Sequence, residues 1–143
     1  MAARRDGKGI GRAGTQAMID HVSIAVTHIP RARAFYDRVL APLGLACTAG
    51  DETSCAGYGP EGDAPFFWLA LQDGPVSRTH VAFTAATQAE VQDFHLAALA
   101  SGARDHGPPG LRPAYGPDYY AAFVLDPDGH NIEAVCRTPS DLS

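Results

Sequence analysis

Residues 79–85, THVAFTA, restate residues 21–26, HVSIAV, and this pair of segments decides the fold. Each is a short run of β-branched, aromatic and small residues free of Gly and Pro, the composition of a strand. His80 holds in the second the place that His21 holds in the first. The spacing downstream repeats as well. His21 precedes Phe35 by 14 residues and Leu40 by 19, and His80 precedes Phe94 by 14 and Leu99 by 19. A matched order and spacing marks a duplicated supersecondary unit.

Outward from each strand comes an amphipathic helix. In the first half Pro30 suits the opening turn, Ala32, Phe35, Tyr36, Val39 and Leu43 form one stripe, and Gly44 closes it. In the second, Thr87 and Glu90 make a capping box, Val91, Phe94 and Ala98 form the stripe, and Ser101-Gly102 ends it.

Three short strand-like segments follow the first helix, around residues 45–49, 54–58 and 64–71, separated by the turn-rich DET and GPEGD. After the second helix, HGPPGLRPAYGPD (residues 106–118) reads as a loop, and YYAAFVLD, the turn DPDG and HNIEAVC read as a closing hairpin. The expected fold class is α+β, with two paired βαβββ modules, residues 18–72 and 77–137, forming a cup-shaped mixed sheet within one domain. Residues 1–17 and 138–143 read as tails. Met18 could then be the original start of the domain.

Strand alternation selects the candidate site. Val22 and Ile24 belong with the covering helix, which leaves His21 on the open face, and Val81 and Phe83 leave His80 there. In the last strand Ile132, Ala134 and Cys136 take the core, so Glu133 falls on the open face. A carboxylate in so apolar a strand is costly unless it is paired or coordinates a metal. Two imidazoles and one carboxylate suit Fe, Mn, Zn or Ni and leave coordination positions free for substrate. The site expected from the sequence is therefore one divalent metal ion held by His21, His80 and Glu133. Phe66 and Trp68 share a parity and would line an apolar wall. His106, Arg112, Tyr115 and Tyr120 would stand near the substrate entrance, with only one of Tyr119 and Tyr120 facing it. His95 falls on the covering helix, and His130, after DPDG, is expected at the surface.

With these residues in hand, the chain resembles the vicinal oxygen chelate superfamily, which includes glyoxalase I, extradiol dioxygenases and the fosfomycin- and bleomycin-resistance proteins. The resemblance covers about residues 18–137 and rests on MIDHVSIAVTHIPRARAFYDRVLAPLGL, RTHVAFTA and YYAAFVLDPDGHNIEAVC. It implies the glyoxalase/dioxygenase fold, with metal ligands at His21, His80 and Glu133. Many members add a Glu or Gln ligand from the fourth strand, where this chain has APFFWLAL with Trp68 at or beside that position. The implied activity is a glyoxalase-like, metal-dependent lyase or isomerase acting on a substrate that chelates the metal through adjacent oxygens; Glu133 is the evident carboxylate to act as catalytic base on detaching from the metal. The alternatives are an extradiol-type dioxygenase, a fosfomycin-resistance-like transferase, and a non-catalytic antibiotic-binding protein. A homodimer is also implied.

Composition narrows the partners. The 143 residues carry a net charge of −5, and residues 1–17 hold four of the eleven basic residues against one acidic residue, so the rest is more acidic still. Such a body repels a phosphate backbone, and no nucleic-acid partner is expected. No run approaches the ~20 apolar residues of a membrane span, so a cytoplasmic protein with a small-molecule substrate is expected. The three cysteines, at unrelated spacings, read as structural.

Overall fold

The computed structural model describes residues 18–139; the expected tail 1–17 and the last residues of the expected tail 138–143 lie outside them. The chain runs β1 (Val22–Val26), α1 (Ile29–Leu40), β2 (Leu45–Gly50), β3 (Cys55–Pro60), β4 (Phe67–Leu71), β5 (His80–Thr84), α2 (Gln88–Ala100), β6 (Arg104–Leu111), β7 (Tyr120–Leu125) and β8 (Asn131–Cys136). Both halves are βαβββ, and each forms a four-stranded mixed sheet. The orders are β1-β4-β3-β2 and β5-β8-β7-β6.

The same pairings recur because the same constraint recurs. A strand followed by a helix must cross over to pair in parallel, whereas strands joined by short turns pair antiparallel. Accordingly β1 pairs in parallel with β4 and β5 with β8, while the other pairs are antiparallel. β1 and β5 each remain at an edge of their sheet.

The helices begin as their sequences direct. His28 caps α1, its Nδ1 accepting from the Arg31 amide, and Thr87 Oγ1 accepts from the Glu90 amide at the start of α2. A single 3-10 turn, Ala41–Leu43, extends α1 to Gly44, whose φ of +82° suits a residue without Cβ. Phe35, Tyr36, Val39 and Leu40 from α1 and Val91, Phe94 and Ala98 from α2 enter one shared core with Ile24, Val26, Phe67, Leu69, Phe83 and Ile132. The T-shaped pair Phe67–Phe83, 4.9 Å between ring centroids, joins the modules at its centre.

Two expectations change. The Gly/Pro-rich residues 106–118 are not wholly loop, because β6 runs through Pro108 and Pro109 to Leu111. β6 is an edge strand with register shifts at Asp105/Gly107 and Gly107/Gly110, so the missing proline donors cost its ladder little. His130 is fully buried rather than at the surface. Its Nδ1 accepts from the Thr79 amide at 3.0 Å and its Nε2 donates to the Ala25 carbonyl at 2.7 Å, which fixes the neutral tautomer and fastens the β7–β8 turn to β1. Asp128 adds to this fastening by accepting from the Thr27 amide and hydroxyl.

Candidate functional site

The register places the candidate residues directly. Ala82 and Phe123 lie opposite Glu133 in the β5-β8-β7 ladder, so His80, one pleat from Ala82, shares its face. His80 Nε2 donates to Glu133 Oε1 at 2.8 Å, and the Tyr119 hydroxyl donates to Glu133 Oε2. Glu133 is 1% exposed, whereas the His80 side chain is half exposed. A buried carboxylate with both oxygens bonded thus sits beneath an imidazole open to solvent.

Tyr119 is held by its neighbours. Its ring packs edge-on to Tyr115 at 5.3 Å, and the Arg137 guanidinium lies over it at 4.7 Å. Burial, then the bond to the Glu133 carboxylate, pushes its phenol up to about 12. At neutral pH it is therefore a donor. Phe123 stands 6.1 Å from the His80 ring, and the Arg112 guanidinium lies over Phe123 at 5.4 Å while donating to the Pro108 carbonyl.

Tyr120 lies on the other face, its hydroxyl accepting from Gln92 of α2 and its ring against the core. Parity alone leaves Tyr119 and Tyr120 unresolved. The register decides between them: Phe123 opposite Glu133 puts the odd-numbered residues of β7 on the open face. Phe123 and Arg137 escape a sequence reading for the same reason, since their neighbours across the sheet depend on register.

The first module supplies the remaining candidates. Trp68 lies opposite Ser23 of β1 and Gly57 of β3, its ring resting where a Gly57 Cβ would come within 2.9 Å. His21 is exposed and bonds Asp20 at 2.7 Å, and both line a cleft of about 450 Å³ with Phe66, Val22, Leu43 and Val81. His106 is exposed on β6.

One copy of the chain does not gather the three residues expected as ligands. Among the described residues, no group of three His, Cys, Asp or Glu side chains comes together that could hold a metal ion. His80 and Glu133 are in contact, while His21 is turned to Asp20 on the other module. Convergence of all three on one cation is therefore not found within one copy. The physical reason is that β1 and the β5–β8 pair belong to different sheets, so no strand pairing brings His21 to the other two.

A duplicated βαβββ unit with a histidine just before β1, a histidine opening β5 and a glutamate in the last strand defines the class. The chain belongs to the Glyoxalase/Bleomycin resistance protein/Dioxygenase superfamily, whose model matches residues 18–134. Among solved structures it is similar to a glyoxalase/bleomycin resistance protein from Albidiferax ferrireducens T118, at 29% identity over 85% of this chain and 100% of that one, with a TM-score of 0.72. It shares its fold with a lactoylglutathione lyase from Agrobacterium tumefaciens (18% identity, 86% and 95% covered, TM-score 0.63). It also does so with a glyoxalase/bleomycin resistance protein/dioxygenase family enzyme from Burkholderia phytofirmans PsJN (18% identity, 85% and 100% covered, TM-score 0.63). No curated protein matches the chain.

Proposed function

We propose that the chain is a cytoplasmic, glyoxalase-like, divalent-metal-dependent lyase or isomerase that acts, as a homodimer, on a small substrate presenting adjacent oxygens. The observation that carries this reading is the buried Glu133 carboxylate bonded to the exposed His80 imidazole. Their donor atoms already lie 2.8 Å apart on one open face, so both can turn to the same cation.

Fe, Mn, Zn or Ni suits such a donor set, with His21 of a second copy as third ligand. Two features support a site shared between copies. β1 and β5, which carry or adjoin the two histidines, are both sheet edges, and the cleft between them is lined by Val22, Leu43, Phe67, Val81 and Phe83. Bare edges and an apolar seam are what a second subunit covers.

A bound divalent cation would supply Lewis acidity, stabilising negative charge on the chelating oxygens. Glu133, on detaching from the cation, would take a proton from the substrate carbon beside them. Tyr119 orients Glu133 and holds its second oxygen. Arg112 over Phe123 brings a positive charge to the substrate side, and Trp68, coming with His21 from the second copy, would form the opposite wall with a flat apolar surface.

The test is metal content of protein purified without chelator, paired with oxygen-independent turnover of a glutathione hemithioacetal. The reading predicts one cation per chain and metal-dependent turnover; absence of specific binding by added Fe(II), Mn(II), Zn(II) or Ni(II) sinks it. A non-catalytic binding protein of the bleomycin-resistance kind is the second reading, favoured by the single copy's gathering only two ligating side chains.

A further inference from the structure

A second concavity lies away from the His80–Glu133 pair, where α1, the C-terminal end of α2 and the β7–β8 turn meet. It encloses about 590 Å³, and its wall carries Arg31 and Arg38 from the first module and Arg78 and Arg104 from the second. These are four of the seven arginines among the described residues, which contain no lysine and 14 acidic residues. In so acidic a body, this concentration of cations on one cavity is a local inversion of charge.

Two carboxylates, Asp126 and Asp128, share the lining and offset part of this charge, but the four arginines outnumber them. Asp126 also lines the cavity, but its oxygens accept from the Tyr36 hydroxyl and from the amides of Asp128 and His130. Asp128 accepts from the Thr27 amide and hydroxyl, and only Arg31 approaches it, at 3.9 Å. Arg38, Arg78 and Arg104 make no ion pair among the described residues. An excess of cationic side chains lining one concavity raises its potential, and an anion that enters is stabilised by it.

We propose that this cavity binds a small organic anion of the phosphate-ester or diphosphate class. Arginine forks match phosphoryl oxygens two at a time. The volume falls within the range of small-molecule sites, and Phe35, Leu125 and Pro127 on the lining offer apolar contact to the carbon part of such a ligand. A concavity of this size takes a molecule rather than an extended acidic segment of another protein. Because its arginines come from both modules, the bound anion joins the two halves of the chain.

Calorimetric titration of the full chain with pyrophosphate, adenosine diphosphate and citrate at constant ionic strength tests the proposal. The expected result is saturable binding of pyrophosphate and adenosine diphosphate, one per chain, with citrate at least tenfold weaker. R38Q/R104Q should weaken both phosphates at least tenfold while keeping the wild-type circular dichroism and melting curve, and R33Q, a charge removed elsewhere on α1, should not. E133A should bind the phosphates as wild type does, which separates this site from the candidate metal site. Unsaturable heats, equal affinity in R38Q/R104Q, equal affinity for citrate, or loss of binding in E133A would each overturn it.

Discussion

Nε2 of His80 and Oε1 of Glu133 lie 2.8 Å apart on neighbouring parallel strands, with the carboxylate buried and the imidazole half open to solvent. Parallel pairing sets this closeness: Ala82 is opposite Glu133, and His80 sits one pleat back on the same face.

If this pair holds a cation, its outer partner must matter too. Tyr119→Phe removes the donor to Glu133 without touching His80, and outer partners of ligating side chains typically contribute about 10- to 100-fold in metal affinity. Competitive chelator titration should show a loss of that order for Y119F and a larger one for Glu133→Gln. Unchanged affinity in both would remove Glu133 from the ligand set.

Sharing of the site between copies makes a sharper prediction. His21→Ala and Glu133→Ala should each abolish metal binding alone, because each breaks every site of its own dimer. Mixed dimers, formed by unfolding and refolding the two variants together, should recover one intact site, with His21 from one copy and His80 and Glu133 from the other. Metal content of the isolated mixed dimer measures this directly. No recovery in a mixed dimer of confirmed composition would count against a shared site.

His130 serves stability rather than chemistry. His130→Ala leaves the Thr79 amide and the Ala25 carbonyl without their partner and opens a void between β1 and the β7–β8 turn. A loss of about 2–4 kcal/mol is expected in urea unfolding. A loss below about 0.5 kcal/mol would show that this attachment does not hold the modules together.

The β2–β3 turn gives a pH signature. Asp51 accepts from the Ser54 hydroxyl and from the amides of Thr53, Ser54 and Cys55, and these bonds, led by Ser54, hold its carboxyl well below the usual carboxylate range. A folded-state pKa below the unfolded one adds stability above the unfolded value, and that stability is lost as pH falls through the folded value. Wild type should therefore melt above Asp51→Asn at neutral pH, and the gap should narrow below the ordinary carboxylate range. A gap that is constant with pH would show that the carboxylate charge plays no part in the turn.

The repeat was legible in the sequence because each module needs the same sequence signals: an alternating strand, a capped amphipathic stripe and a turn. HVSIAV and THVAFTA, the Thr87–Glu90 cap and the parity of Ile132, Glu133 and Ala134 are local signals, and local geometry reads them. The strand through Pro108 and Pro109 was hidden because proline argues against a strand until the strand is known to lie at an edge. Tyr119 was hidden because choosing it over Tyr120 requires the β7–β8 register.

By itself, then, the sequence determined two βαβββ modules and placed His21, His80 and Glu133 on open sheet faces, since strand period and helix period are properties of neighbours along the chain. Only the tertiary structure decided which of those residues meet. The β5–β8 pairing brings His80 to Glu133, and the packing of the two modules on one core leaves His21 on the other sheet. That packing also gathers Arg31, Arg38, Arg78 and Arg104 around one cavity. Such meetings depend on how modules pack, and packing is a contest among all buried surfaces at once.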